Sequence, residues 1–366
     1  PDQHPPAAIS TEPLPVPDSP VGGDLLGQCG LVLPKTAPDP PEDITAKSWV
    51  IQDLDNGDVL AARAPHARHR PASLIKLLLA LVVVDHFDSD DEITPTTRDA
   101  EAVCSCVGLS EGEQYTVNEV LHGLLMVSGN DAAHALGTAL GGQQRALRLM
   151  NERAAQLGAL DTRATSTSGL DSEGMVSSAY DLSIIYNTAM RSQRIARIVG
   201  TKKFTFPGKN GEEDYPLRND NKLLGSYAGF LGGKTGFTDN AQHTYAGGAQ
   251  RDGARIGVVL LRGKQRPDPL ATQAGKLLDY GFRLAGHHRA AVGTVNGRGD
   301  TPPTSSESSP EGDEQHAGTV ADSSDSVEPW MWITGALLLL LLTVALATSR
   351  RQRMGHRRFR HDPGRG

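Results

Sequence analysis

The stretch Phe230 to Leu261, FLGGKTGFTDNAQHTYAGGAQRDGARIGVVLL, reads as three β-strands in succession. Phe230 to Gly236 is the first, and Thr238-Asp239-Asn240-Ala241 turns the chain. Thr244 to Gln250 follows, Asp252-Gly253 supplies a two-residue hairpin turn, and Ile256 to Leu261 completes the set. Upstream, Ser48-Trp49-Val50-Ile51 and Val59-Leu60-Ala61-Ala62 flank Asn56-Gly57, a second hairpin. These segments predict an antiparallel five-stranded sheet. After it, Pro267-Asp268-Pro269 opens a final amphipathic helix to about Leu284, carrying Leu270, Leu277, Leu278 and Phe282. Between the hairpin and the three-strand set the pattern is helical. The apolar run Leu74 to Val84 contains Lys76 and is too short for a membrane span, which fits a buried helix starting near Ser73. Residues 113–140 form a second helical region, with Leu121, Leu124 and Leu125 on one face. A further helix covers 143–157, ending near Gly158, and Ser177-Ser178-Ala179-Tyr180-Asp181 starts another. The expected class is α/β of the α+β kind: a sheet flanked by helices, with an all-helical subdomain inserted.

Three short motifs stand on this framework. Ser73 and Lys76 are three residues apart at a helix start after Pro71-Ala72, so they share a face and the amine can reach the hydroxyl. A serine needs a base, and a lysine serves as one only when burial or a neighbouring positive charge lowers its pKa. Leu74, Ile75 and Leu77 supply the burial, and Lys234 the charge. Alone the pattern is weak: on the order of one or two Ser-x-x-Lys matches arise by chance in such a chain. Ser128-Gly129-Asn130 sits where the helical region breaks, and alone it reads equally well as a helix cap. Thr116-Val117-Asn118 has the same pattern but lies at an apparent helix start, where a threonine is a cap. Lys234-Thr235-Gly236 lies on a strand, where Lys234 and Gly236 point to the face opposite Thr235. Bringing all three to one site requires a local bulge or an edge position. Gly236 admits a close backbone, while Lys234 and Thr235 suit a carboxylate.

Together, PASLIK (71–76), SGN (128–130) and GGKTGFT (232–238), supported by SGLDSEGMVSSAYDL (168–182), resemble the low-molecular-mass penicillin-binding D-alanyl-D-alanine carboxypeptidases, which are serine peptidases of family S11. The resemblance covers about Ser48 to Gly286, and with the C-terminal features below the chain looks like the actinobacterial membrane-anchored members. It implies a β-lactamase/transpeptidase-like fold. Ser73 would be the acylated nucleophile and Lys76 its general base. Ser128 would relay protons with Lys234, and Asn130 would orient the peptide amide. Thr235, Gly236 and Phe237 would bind substrate, with the N–H groups of Ser73 and Phe237 forming the oxyanion hole. The implied substrate is a peptidoglycan stem peptide ending in D-Ala-D-Ala, with β-lactams as acylating inhibitors and no cofactor or metal. Ala241-Gln242-His243 departs from the Ala-Gly and small or apolar residue that many members have there. A β-lactamase would need a deacylating glutamate; only Glu152, on a helix, and Glu173 offer themselves, and neither is a clear candidate. A non-catalytic penicillin-binding wall protein is disfavoured because every catalytic position is filled.

The ends have a different character. Residues 1–40 are rich in Pro, Asp and Gly, and poor order is expected there. The peptidase domain is assigned to 41–290, a flexible Ser/Pro/acidic stalk to 291–328, a transmembrane helix to 329–348 and a basic tail to 349–366. Trp330 and Trp332 mark one interface, and Arg350, Arg351, Arg353, Arg357, Arg358 and Arg360 follow the other. The positive-inside rule puts that end in the cytoplasm and the catalytic domain outside a cell membrane crossed once. An exported chain needs a signal peptide; none opens this sequence, and the expectation is that one has been removed. The formal charge of -7, despite this basic tail, leaves an acidic body and argues against nucleic acid as partner. Asp53, Asp55 and Asp58 fail as a calcium loop because Asp58 occupies the position that must be glycine. Of the three cysteines, Cys29 with Cys104 or Cys106 is the expected bridge; Cys104 with Cys106 would close a strained loop.

Overall fold

The computed structural model describes residues 11–286 and 291–295. The expected span and basic tail, and all but the first residues of the stalk, lie outside them. Among the described residues, no helix is long and apolar enough to cross a membrane.

In chain order, β1 is Leu31–Val32, β2 Ser48–Asp53 and β3 Asp58–Arg63. A 3-10 turn, Ala72–Ile75, leads into α1 (Lys76–His86). The helical region then holds β4 (Glu92–Ile93), α2 (Thr97–Ala100), β5 (Tyr115–Thr116), α3 (Val117–Met126), α4 (Asn130–Ala139) and α5 (Gln143–Gln156). It continues through α6 (Ala179–Arg191), α7 (Gln193–Val199), the small hairpin β6 (Lys203–Phe206) and β7 (Tyr215–Arg218), and α8 (Leu223–Ser226). The chain then returns to the sheet as β8 (Phe230–Thr238), β9 (Gln242–Arg251) and β10 (Ala254–Gly263), followed by α9 (Leu270–Gly286) and β11 (Gly293–Thr294).

The sheet runs β1-β3-β2-β10-β9-β8, with β11 also on β3, and its paired strands are antiparallel. It has seven strands rather than the expected five; the two additions are the two-residue strands β1 and β11, too short to show a period in sequence. The hairpin joining β9 and β10 turns through Asp252 (φ 50) and Gly253 (φ 85), the left-handed pair a two-residue turn requires. Alternation along the strands divides the core. Trp49, Ile51, Ile256, Val258 and Leu260 face Leu277, Leu278 and Leu284 of α9. Val50, Val259 and Leu261 face the other way, toward α1 and α6. Helix α1 is buried from Lys76 through Val83, which explains its lack of a polar face. Thr116 caps α3 in a reciprocal capping box with Glu119, as its place at the helix start suggests.

Residues 11–40 are not the loose segment expected. Prolines remove donors along this segment, and basic side chains of the body bond to its carbonyls. Arg68 donates to Leu14 O at 2.6 Å and Pro15 O at 2.7 Å, and Arg163 to Glu12 O at 2.5 Å. His66 Nε2 lies 3.0 Å from Val21 O, and Asp161 holds both His66 Nδ1 (2.9 Å) and Arg68 Nε (2.8 Å).

Beside this cluster Asp181 is buried, and that burial pushes its carboxyl up to about 7, against the hydrogen bond from Thr162 Oγ1 at 2.7 Å. A carboxyl whose folded pKa is raised contributes stability in full below its unfolded pKa of about 4, and loses it as pH rises through the folded value. Stability should therefore decline between about pH 4 and 7 by on the order of a few kcal/mol from this group. The Asp181→Asn variant should lack that part of the decline in urea midpoints measured across the range; a decline of wild-type size in the variant would contradict the assignment.

Candidate active site

Ser73 lies in the 3-10 turn that feeds α1, after Ala72, whose φ of 48 is left-handed backbone of the kind found at functional turns. One turn on, Lys76 is fully buried. Its Nζ donates to Ser73 Oγ at 2.9 Å, Asn130 Oδ1 at 2.8 Å and Ser168 O at 2.7 Å. Three acceptors match the three hydrogens of an ammonium. Removing one proton leaves a lone pair among those same groups, and the Ser73 hydroxyl is the one of the three with a proton to give. Burial, and then the charge of Lys234, hold the Lys76 pKa well below the usual lysine range, while Asp131 and Asp220 pull the other way.

The second motif breaks the helical region as expected, with α3 ending at Met126 and α4 starting at Asn130. Ser128 takes φ 62 in the break and lines the same cleft as Ser73. Asn130 is engaged at both ends of its carboxamide: Oδ1 accepts from Lys76, and Nδ2 donates to Val103 O at 2.6 Å.

The third motif is on β8, the edge strand beside the cleft. A bulge does exist, but upstream, where register shifts between Phe230 and Gly232. From Lys234↔Ala246 through Gly236↔Thr244 the ladder is regular. From this edge position, with no bulge at the motif, Thr235 and Gly236 line the cleft, while Lys234 is buried. Lys234 points inward, is fully buried and donates to Thr235 O at 2.8 Å; burial lowers its pKa, against Asp220. Thr235 Oγ1 donates to Asp220 Oδ2 at 2.8 Å. Gly236 passes so near Ser73 that a Cβ there would stand 2.9 Å from Ser73 N and 2.4 Å from Thr244 Oγ1. Phe237 is 55% exposed at the lip, its ring 4.5 Å from that of His243.

The cleft has a volume of about 410 Å³ and is lined by Ser73, Ser105, Ser128, Asp220, Thr235 and Phe237, among others. A larger cavity of about 1110 Å³ lies between residues 14–21 and α5; none of the motif residues lines it, though Glu152 does. Glu173 is exposed and lines neither, so neither glutamate considered for deacylation lines the Ser73 cleft.

Other contributors had no role assigned from the sequence. Asp220 sits in Asn219-Asp220-Asn221, a stretch with no pattern of its own. Ser168 acts through its carbonyl, which any residue possesses. Asp131, in the first turn of α4, is buried, and its carboxylate accepts from the N–H groups of Val107 (2.9 Å), Gly108 (2.7 Å) and Leu109 (3.1 Å). That anchors the loop bearing Ser105, which is closed by a Cys104–Cys106 disulfide, while Cys29 is free and exposed. The expected pairing is therefore corrected. Cys29 precedes β1, at the opposite edge of the sheet from β8, whereas the Cα atoms of Cys104 and Cys106 are 4.7 Å apart beside the cleft.

Gly169 fixes the Ser168 carbonyl. It has φ 86, and a Cβ would fall 2.1 Å from Ala72 O. Gly169→Ala should cost about 2–3 kcal/mol of stability through strain and overpacking. It should also slow acylation of Ser73 in a stopped-flow assay; an unchanged rate would contradict the role given to this carbonyl.

A serine hydroxyl bonded to a buried, pKa-lowered amine, with a second hydroxyl and an open strand edge in one cleft, defines a serine acyl-transfer site of the penicillin-recognising kind. Comparison with known proteins narrows this. Residues 34–265 match the peptidase S11 family, D-alanyl-D-alanine carboxypeptidase, and the chain belongs to that family. It is 42% identical over 260 residues to D-alanyl-D-alanine carboxypeptidase DacB2 of Mycobacterium tuberculosis, covering 70% of this chain and 88% of that protein. The crystal structure of a D-alanyl-D-alanine carboxypeptidase from M. tuberculosis H37Rv superposes with a TM-score of 0.68 at 41% identity, covering 72% of this chain and 99% of that one. A point mutant of the Streptomyces K15 DD-transpeptidase gives 0.63 at 28% identity, covering 66% and 100%.

Proposed function

We propose that this protein is a serine-type carboxypeptidase that removes the terminal D-alanine from peptidoglycan stem peptides ending in D-Ala-D-Ala, through an acyl-enzyme on Ser73. The observation that carries the proposal is the 2.9 Å contact between Lys76 Nζ and Ser73 Oγ in a buried site. Neutral Lys76 takes the hydroxyl proton as Ser73 Oγ bonds to the carbonyl carbon of the penultimate D-alanine. The developing oxyanion is stabilised by the N–H groups of Ser73 and Phe237, at about 3–4 kcal/mol per donor in such sites. Ser128, with Lys234 behind it, passes a proton to the leaving nitrogen; the C–N bond breaks and D-alanine departs. Water then attacks the ester and returns the proton, releasing the shortened peptide and free Ser73. Asn130 steadies Lys76 and orients the peptide amide. Thr235 turns its hydroxyl to the terminal carboxylate of the substrate, exchanging its bond to Asp220. A β-lactam presents the same acyl donor in strained form and acylates the same oxygen. In this reading the domain works outside the membrane, tethered through residues 329–348.

The test is incubation of the full chain with a peptide ending in D-Ala-D-Ala, followed by mass analysis. A product one alanine shorter, together with slow nitrocefin turnover, is expected. Rapid nitrocefin turnover with an intact peptide would make the protein a β-lactamase instead.

A further inference from the structure

The loop Val103–Cys106 is bonded to Asn130 at two points. Ser105 O accepts from Asn130 N at 2.7 Å, and Val103 O accepts from Asn130 Nδ2 at 2.6 Å. Ser105 Oγ adds a bond to Val127 O at 3.1 Å. The oxygen of the same carboxamide accepts from Lys76 Nζ at 2.8 Å. The Asn130 amide is thus held between this loop and the amine beside Ser73. Lys76 selects the oxygen end, and the Val103 carbonyl fixes where the amide sits; without that carbonyl the bond to Lys76 is the remaining side-chain restraint and the amide can shift relative to Ser73. Beyond the loop, Asp131 pins Val107, Gly108 and Leu109. Between these anchors the Cys104–Cys106 bond closes the chain around Ser105, which lines the cleft.

We infer that the Cys104–Cys106 disulfide is a positioning element for the reaction at Ser73, and that a thiol reductant reaching the cleft mouth turns the enzyme down. The inference rests on the reading of Ser73 as the acylated residue. Cys104 is exposed and Cys106 half-buried, so the bond is accessible. A dithiol opens it by thiolate attack on one sulfur: the S–S bond breaks, a mixed disulfide forms, and the second thiol resolves it. Two cysteine thiols remain, and the dithiol is oxidised. The opened loop keeps its Asp131 anchor but no longer fixes the carbonyls of Val103 and Ser105 on Asn130. A ring so short removes little freedom from the unfolded chain, so the bond has small leverage on global stability. That separates a positioning role from a scaffolding one.

The experiment compares the full-chain protein oxidised, reduced with dithiothreitol (thiols counted by mass) and reoxidised. It measures acylation by a fluorescent penicillin, kcat and KM on a D-Ala-D-Ala peptide, and the thermal midpoint. Reduction should slow acylation about 10- to 100-fold, the range for a small misplacement of a catalytic group. The loss should fall on kcat more than KM, leave the midpoint nearly unchanged, and reverse on reoxidation. The Cys104→Ala/Cys106→Ala variant should match the reduced enzyme and ignore dithiothreitol, with Cys29 present throughout as an unaltered thiol. A fully reduced enzyme acylating at the oxidised rate would overturn the inference, as would a loss that tracks a falling midpoint. Absence of labelling in the oxidised protein would instead overturn the assignment of Ser73, and this inference with it.

Discussion

Ser73→Ala should lose covalent labelling by penicillin, and its release of D-alanine should drop by about 10⁶-fold, the loss seen when a serine hydrolase is deprived of its nucleophile. The variant should fold. Lys76 keeps two of its three acceptors, Asn130 Oδ1 and Ser168 O, and the removed oxygen belongs to a partly exposed side chain. A thermal midpoint close to wild type, measured on the same sample, would show that the lost activity is chemical. Peptide hydrolysis within tenfold of wild type would remove Ser73 from the mechanism.

Replacing Lys76 should have an effect of similar size for a different reason. Lys76→Ala removes the base and leaves Asn130 Oδ1 and Ser168 O without their donor, so a loss of about 10⁴- to 10⁶-fold in acylation is expected. Lys76→Arg should not rescue it, because a guanidinium does not deprotonate in proteins. The pH profile carries the sharper signature. If neutral Lys76 takes the proton, acylation rises with pH through the Lys76 pKa. Burial and the Lys234 charge place that rise well below the ordinary lysine value of about 10.4. Lys234→Ala removes the positive neighbour, so it should move the rise to higher pH while leaving the burial contribution in place. A rise that stays fixed in this variant would contradict the coupling between the two amines.

The parts of this molecule that a sequence discloses are those with a period or a side-chain chemistry. The longer strands of the sheet were legible from their apolar runs and from the turns at Asn56-Gly57 and Asp252-Gly253. The apolar run from Leu74 to Val84 announced a buried helix, and Ser73, Lys76, Ser128, Asn130 and Lys234 stood out by side-chain type. The contributions of backbone carbonyls were not legible. The carbonyls of Ser168, Val103 and Ser105 hold Lys76 and Asn130, yet no residue type marks a carbonyl that will face inward. The cysteine pairing failed for a related reason. Loop strain was weighed without knowing the strand order, which puts Cys29 at the far edge of the sheet. Within the Pro-rich N-terminal segment, residues 12–21 are held by Arg68, Arg163 and His66 of the body rather than by anything of their own, and no local pattern discloses such contacts.

The most direct measurement is peptide mapping of the protein after brief exposure to a β-lactam. The account predicts one adduct, on the fragment containing Ser73, whose slow loss restores D-alanine release in step. An adduct on any other residue, or full peptidase activity while Ser73 remains blocked, would contradict it.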